Sequence, residues 1–128
     1  MYKVKITVLE TKFFKDLADE YAVDGYGLCE LHKPGQVFYS NGWQKPTGLC
    51  DNAWRCMFDY VLAIAQHAGH IYGDGSWFRK ENFAIVTCND GVRPVVFKLE
   101  GTDEPADVFN DDLEKVDRFI GRTDTSTK

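Results

Sequence analysis

Apolar and polar side chains alternate along segments near both ends of the first hundred residues, which is the pattern of half-buried β-strands. Residues 2–9 place valine and isoleucine on one side and lysine and threonine on the other. Residues 83–88 and 92–100 are two further runs, and the Asn-Asp-Gly tripeptide at 89–91 predicts a hairpin turn between them. Pro94 lacks a ladder donor, so we expect the last strand to begin at a sheet edge or a bulge.

Apolar spacings of three and four residues indicate α-helices in two other segments. The stronger pattern covers residues 51–68, where Asp51 or Asn52 can cap the helix and Gly69 can end it. Its predicted apolar face consists of Trp54, Met57, Phe58, Val61, Leu62, Ala65 and Ala68. A weaker pattern over residues 13–22 predicts a short helix.

The order of elements predicts an α+β fold, in which a small, mostly antiparallel sheet carries one main amphipathic helix and ends in a β-hairpin. The proline- and glycine-rich residues 33–48 supply a short strand between two turns. We expect a single domain over residues 1–101, followed by an acidic extension over 102–128. Residues 111–121 of this extension predict a short helix, and the last residues are expected to be disordered.

Charge is unevenly distributed along the chain. Residues 1–99 carry eleven acidic and eleven basic residues, so the net charge of −5 comes entirely from residues 100–128. A neutral body without a basic stripe argues against nucleic acid as a partner. No apolar run approaches the roughly 18–20 residues of a membrane span, and the N-terminus does not resemble a signal peptide. We therefore expect a cytoplasmic protein.

The four cysteines are the first candidates for chemistry, and in a cytoplasmic protein we expect them to be free thiols. Cys29, Cys50 and Cys88 each fall at the end of a predicted element, and such ends can meet in a small fold. Together with His32, which follows Cys29 at a C-x-x-H spacing, they would suit zinc or another thiophilic metal. The alternative is that these cysteines are small buried packing residues.

Cys50 is also the candidate catalytic residue, because it directly precedes the main helix. The N–H groups and dipole at a helix N-terminus favour a thiolate, although the neighbouring Asp51 opposes this by charge repulsion. No histidine is placed beside Cys50 in the sequence to act as its base. Cys56 lies inside the helix, away from the main apolar stripe, and is expected to be a packing residue.

Three further residues are candidates for binding a ligand. Asp90 and Arg93 flank the predicted hairpin turn, where a guanidinium beside a carboxylate can bind an anion. The alternative is turn formation by Asp90 and a solvated charge for Arg93. Trp54 is expected either in the core or in the wall of an aromatic-lined pocket.

Four motifs occur in an order that resembles a family of small bacterial proteins of unknown function, common in anaerobes. They are YKVKITVL, a cysteine followed by KPGQVF, KPTGLCDNAW, and TCNDGVRPVVFKLE, and together they span residues 2–100. The resemblance implies a fold family and no particular activity. It aligns the family's characteristic residues with Cys29, Cys50, Trp54, Cys88, Asp90, Gly91, Arg93 and Pro94.

The chain departs from the family pattern in two places. Asp51-Asn52 stands where members often have an aromatic residue, and Thr87 stands where they often have a second cysteine. From these observations we expect a binding or accessory protein with a cysteine-lined site for a metal or small molecule. The alternatives are a cysteine-dependent enzyme acting on a small molecule, and a homo-oligomeric interaction protein whose cysteines are structural.

Overall fold

The computed structural model describes residues 1–73 and 77–106, and these residues form a four-stranded antiparallel sheet with two helices. The sheet order is β2-β1-β4-β3. The elements are β1 (Tyr2–Thr11), α1 (Lys15–Tyr21), β2 (Val37–Ser40), α2 (Asp51–Ala65), β3 (Phe83–Thr87) and β4 (Val95–Pro105). The predicted α+β fold is confirmed. The helix predicted at 111–121 and the tail after it lie outside the described residues.

The core lies between α2 and one face of the sheet. The predicted alternation is confirmed, because the apolar side chains of β1 and β4 on this face are fully buried while their neighbours are only partly buried. The buried apolar side chains of this core are Val4, Ile6, Val8, Leu49, Ala53, Met57, Val61, Ile64, Ala65, Ala84, Val95, Phe97 and Leu99. α1 contributes little, since Ala18 is its only buried residue.

The buried face of α2 is rotated from the face that the sequence predicted. Its buried residues are Ala53, Met57, Val61, Ile64 and Ala65. Ala53 lets the helix approach the sheet closely, which turns the bulky Trp54 and Phe58 to the flank. There both are half-buried, with ring centroids 5.4 Å apart.

α2 is also shorter than predicted, and its N-cap is Cys50 rather than Asp51 or Asn52. It ends at Ala65, because His67 already has the left-handed φ of 54° that stops the helix. The His67 ring stacks on Tyr2 at a centroid distance of 3.9 Å and its Nε2 bonds the Thr102 carbonyl oxygen at 2.9 Å. These contacts end the helix before Gly69.

The predicted hairpin of β3 and β4 is confirmed, with residues 88–94 as the connection. β4 is an interior strand rather than an edge strand, because it pairs with both β1 and β3. Pro94 precedes its first residue, so the missing N–H falls outside the ladder. A register shift between Val8 and Glu10, opposite the start of β4, supplies the irregularity that Pro94 suggested.

β4 continues four residues beyond the predicted domain end at 101, so residues 102–105 belong to the sheet. Pro105 is paired with Tyr2, and the Thr102 hydroxyl donates to the Lys3 carbonyl oxygen at 2.7 Å. The Lys3 ammonium lies 2.8 Å from the Glu104 carboxylate. The polar sequence concealed this strand, since backbone pairing with β1 rather than apolar burial holds it.

Several connections meet at the end of the sheet where β1 finishes and β4 begins. The backbone N–H groups of Lys12 and Phe14 donate to the carbonyl oxygens of Pro94 and Val92, at 2.9 and 2.8 Å. The chain entering α1 is thereby fixed to the hairpin connection. Among residues 1–73 and 77–106, no helix is both long and apolar enough to cross a membrane.

Candidate functional site

Three of the four cysteines line one cleft at this end of the molecule. Cys29 comes from the loop between α1 and β2, Cys50 from the N-cap of α2, and Cys88 from the residue after β3. We call this the thiol cleft. It has a volume of about 410 Å³ and is lined by Cys29, Cys50, Asn52, Cys88, Asn89, Asp90, Gly91 and Arg93. The sequence left open whether these three cysteines meet, and the structure places them on one cleft.

The cysteines are half-buried free thiols. Those of the thiol cleft also pack against the apolar core, so each is fixed on one side by the protein and open to the cleft on the other. This arrangement holds the sulfur atoms at a surface without enclosing them.

Cys88 is positioned by the hairpin backbone on both sides of its connection. Its N–H donates to the Val95 carbonyl oxygen at 3.0 Å, and its Sγ accepts the Val95 N–H at 3.3 Å. The hairpin thus orients Cys88 and supplies it with one stabilising contact.

Cys56 lies apart from the cleft lining, as its predicted packing role requires. Burial raises the pKa of the Cys56 thiol, and the nearby Cys88 raises it further. A raised pKa keeps the thiol protonated and unreactive near neutral pH.

His32 is buried, and both of its ring nitrogens have protein partners, so it is not open to a metal as placed, and its role as a fourth ligand stays a prediction. Its Nε2 accepts the Cys50 N–H at 3.1 Å, and its Nδ1 lies 2.9 Å from Gln36 Oε1. Because Nε2 accepts, the ring proton is on Nδ1 and is donated to Gln36. The ring also packs edge-to-face against Phe38 and Phe97. His32 therefore holds the N-terminus of α2 in place through the backbone of Cys50.

Within residues 1–73 and 77–106, no three histidine, cysteine, aspartate or glutamate side chains are grouped closely enough to hold a metal ion. The three thiols share a cleft without forming a coordination shell, and their fourth partner is occupied. Among these described residues the thiols form no complete metal site as placed, and zinc or another thiophilic metal stays a prediction.

Asp90, Arg93 and Tyr26 form a polar cluster at the rim of the cleft. The Asp90 carboxylate accepts the backbone N–H groups of Val92 and Arg93 on Oδ1, at 2.8 and 3.0 Å. Its Oδ2 accepts the Tyr26 hydroxyl and lies 3.4 Å from Arg93 Nε. The Arg93 guanidinium carbon lies 4.1 Å from the centroid of the Tyr26 ring. This cluster joins the loop that carries Cys29 to the hairpin that carries Cys88.

These contacts shift the pKa values of Asp90 and Tyr26 in opposite directions. Burial alone would raise the pKa of Asp90, but the hydrogen bonds from Tyr26 and from the backbone of Arg93 and Val92 outweigh it. The pKa of this carboxyl is therefore below its ordinary value. The hydrogen bond to Asp90 raises the pKa of Tyr26, since the phenol donates to a carboxylate.

A second cleft borders the start of α2 and shares Cys50 and Asn52 with the thiol cleft. It has a volume of about 530 Å³ and is lined by Leu31, Lys45, Gly48, Leu49, Cys50, Asp51, Asn52 and Arg55. Lys45 lies 2.7 Å from Asp51, and this hydrogen bond lowers the pKa of the Asp51 carboxyl. Cys50 is thus the one thiol of the described residues that lines both clefts.

The remaining sequence-based candidates divide clearly. Asp90 and Arg93 line the thiol cleft, whereas Trp54 is not among its lining residues and packs against Phe58 and the core.

Sequence reasoning missed Tyr26, whose partner Asp90 is 64 residues away. No spacing rule connects such distant positions. It also missed the amides of Asn52 and Asn89, which sequence reasoning had treated only as cap and turn residues.

Comparison with known proteins adds no further constraint to this site. No family model, curated protein or solved structure matches the chain. The resemblance to the small bacterial family therefore stays a prediction, and the function must be argued from the geometry.

Proposed function

We propose that this protein is a small binding or accessory domain whose thiol cleft takes up a soft ligand, either a small molecule or a thiophilic metal. The observation that carries this proposal is that three cysteines, separated by 21 and 38 residues in the sequence, line the same cleft. Packing alone does not require cysteines to share an open surface. Four free thiols also favour a reducing compartment, so we propose a cytoplasmic location.

Ligand protection of the thiols tests the proposal. The protein is purified without oxygen and treated with iodoacetamide, and alkylation of each cysteine is followed by mass spectrometry. Zinc, copper(I) and fractionated small-molecule extracts are added in turn as protecting agents. We expect at least one to protect Cys29, Cys50 and Cys88 together, because they line one cleft, and to leave Cys56 unchanged.

Two variants separate binding from general stabilisation of the fold. Cys50→Ser should remove protection from Cys29 and Cys88, whereas Cys56→Ser should not. A chelator should reverse protection by a metal, since removing the ion frees all its ligands at once. If no metal or extract protects the three thiols as a group, the proposal is wrong.

The second candidate is a cysteine-dependent enzyme acting on a small molecule, and the contact of the Val95 N–H with Cys88 Sγ favours it. In this role Cys88, or Cys50 at the start of α2, would attack without a histidine base, since His32 is engaged elsewhere. An enzyme of this kind should form a covalent adduct on one thiol that turns over. A binding domain should release its ligand unchanged.

The third candidate is a homo-oligomeric interaction protein. Val37, Tyr39 and Ile85 favour it, because they are exposed on strands whose neighbouring residues face the core. Light scattering across a range of protein concentrations distinguishes a stable oligomer from a monomer. Cysteines that all stay unreactive until the protein unfolds would identify them as purely structural.

A further inference from the structure

Asp90 and Arg93 in the thiol cleft differ in how many of their hydrogen-bonding positions already have a partner within the protein. Both oxygens of the Asp90 carboxylate are occupied, Oδ1 by two backbone N–H groups and Oδ2 by Tyr26 and Arg93 Nε. A carboxylate with all these contacts has little capacity to bind a further donor. Asp90 is therefore a structural member of the cluster rather than a binding group for a cation.

Arg93 has N–H donors that remain available for a ligand. A guanidinium carries five N–H donors, and the interactions of the Arg93 group in the described part of the chain are its ion pair with Asp90 and its contact with Tyr26. Its side chain is 32% exposed and lines the cleft. The donors that remain are therefore open to a ligand in the cleft.

The arginine is also held in place before any ligand arrives. Its planar group stacks on the Tyr26 ring, and its Nε is directed to Asp90. Stacking and an ion pair restrict the rotamers of this long side chain, so binding a ligand loses less conformational entropy. Asn52 gives the cleft a further hydrogen-bond donor. Its amide oxygen already accepts Arg55 Nη1 at 3.1 Å, so its NH₂ group is left to donate.

We propose that the ligand of the thiol cleft is a small carboxylate, whose oxygens are bound by Arg93 while its soft or electrophilic part meets the thiols. A carboxylate matches the planar fork of a guanidinium and can accept two parallel N–H bonds from it. This inference rests on the proposed function and specifies its ligand class. Of the two ligands named there, it selects the small molecule over the thiophilic metal.

A matched pair of alkylating agents tests the inference without knowledge of the natural ligand. Iodoacetate and iodoacetamide have nearly the same shape, but only iodoacetate carries a carboxylate. In both reactions the cysteine sulfur bonds to the CH₂ carbon, iodide leaves, and the thiol proton passes to the buffer. The rate ratio in the unfolded protein corrects for the intrinsic reactivity of the two reagents.

We expect the ratio of iodoacetate to iodoacetamide rates at the cleft cysteines to be on the order of tenfold higher in the native protein than in the unfolded one. This factor corresponds to the additional free energy that a hydrogen bond usually contributes when its acceptor is charged rather than neutral. The iodoacetate rate should also saturate with concentration, because the reagent binds before it reacts. Cys56 lies outside the cleft and should show no such preference.

Two arginine variants provide the control. Arg93→Gln should return the native ratio to the unfolded value, whereas Arg79→Gln, at an exposed position outside the thiol cleft, should leave it raised. Circular dichroism checks that each variant is folded, and the wild-type ratio tests the inference even if Arg93→Gln does not fold.

The outcomes separate this inference from the proposed function. A native ratio equal to the unfolded ratio, or one unchanged in folded Arg93→Gln, overturns the carboxylate ligand and leaves a thiol-binding domain standing. Failure of both reagents to reach Cys29, Cys50 and Cys88 before unfolding overturns both.

Discussion

Cys50 and Cys56 belong to the same helical segment but differ in their surroundings, and their reactivities should differ accordingly. Cys50 lines two clefts, whereas burial and the neighbouring Cys88 raise the pKa of Cys56. At about pH 7 we expect alkylation of Cys50 well before Cys56. Cys56 should become reactive only as the pH rises above the usual thiol range. Peptide mass spectrometry across pH measures both, and equal rates would contradict this difference.

Asp90 should make the stability of the fold depend on pH in the acid range. Its pKa lies below the ordinary value of 3.8 in the folded protein, so its contribution is complete above that value. It is lost as the pH falls through the folded pKa. We expect Asp90→Asn to lower the free energy of unfolding by about 1 kcal/mol at neutral pH and by much less in strong acid.

Urea unfolding of wild type and Asp90→Asn at neutral and acid pH measures this difference. Asp19→Asn is the control, since it removes an exposed aspartate that pairs with Lys15 four residues away on α1. A surface pair of this kind contributes little to stability. If the deficit of Asp90→Asn is the same at both pH values, the carboxylate of Asp90 does not stabilise the fold.

At the level of single residues, the sequence indicated which side chains could meet but not how they would be used. Cys29, Cys50 and Cys88 were candidates for one site because each ends an element, and element ends are set by local patterns; whether they meet was left open. His32 was assigned to the same group by its spacing from Cys29. Its real partners, Gln36 and the Cys50 N–H, depend on the packing of the loop beneath α2. Tertiary hydrogen bonds of this kind leave no local pattern.

The rotated face of α2 changes which of its side chains should matter most for stability. Met57 is fully buried, whereas Phe58 is half-buried and flanks the core. Met57→Ala should lower the free energy of unfolding by about 2–5 kcal/mol, the range for a large buried side chain. Phe58→Ala should cost clearly less despite its larger ring. Denaturant midpoints measure both, and the reverse order would show that the aromatic flank is part of the core.

The start of α2 should depend on His32. The substitution His32→Phe keeps a flat ring in contact with Phe38 and Phe97. It leaves the Cys50 N–H without its acceptor. An unpaired buried donor costs about 1–3 kcal/mol, so the denaturant midpoint should fall. His70→Phe, beyond the other end of α2, is the control and should change it little. Equal effects of the two variants would argue against the cap.

Elements were predicted well where burial follows the strand or helix period, and poorly where it does not. Strands β1 and β3 were located by alternation because one face of each is buried. The last turn predicted for α2 was absent, since His67 leaves the helix to stack on Tyr2. The end of β4 was missed for a related reason. Its polar residues join the sheet through backbone pairing with the start of β1, which hydropathy cannot show.

In the whole molecule, the topology explains why the thiols meet at one end. The antiparallel order places the ends of β1 and β3 beside the start of β4. The N-terminus of α2 reaches the same end of the sheet, so Cys50 and Cys88 share a cleft there. The loop that carries Cys29 is joined to this end through Tyr26 and Asp90. The order of elements in the sequence predicts the fold class, but the position of this loop follows from contacts across the chain.

The end of β4 also decides how far the chain can be shortened. A chain ending at residue 101 loses the pairing of Tyr2 with Pro105, the Thr102–Lys3 hydrogen bond and the Lys3–Glu104 ion pair. These losses should total on the order of 2–3 kcal/mol. For a domain of this size, the melting temperature should fall by roughly 10 °C.

Removing residues 122–128 should have little effect on the melting temperature, because their sequence has no apolar periodicity to bury. A chain ending at residue 106 keeps every contact of β4 just described, including the Ala106 N–H donating to the Met1 carbonyl oxygen at 3.0 Å. It should therefore melt well above the chain that ends at 101. Calorimetry of the three truncated chains beside the full chain measures these differences. If the chains ending at 101 and 106 melt together, residues 102–105 add nothing to the stability of the sheet.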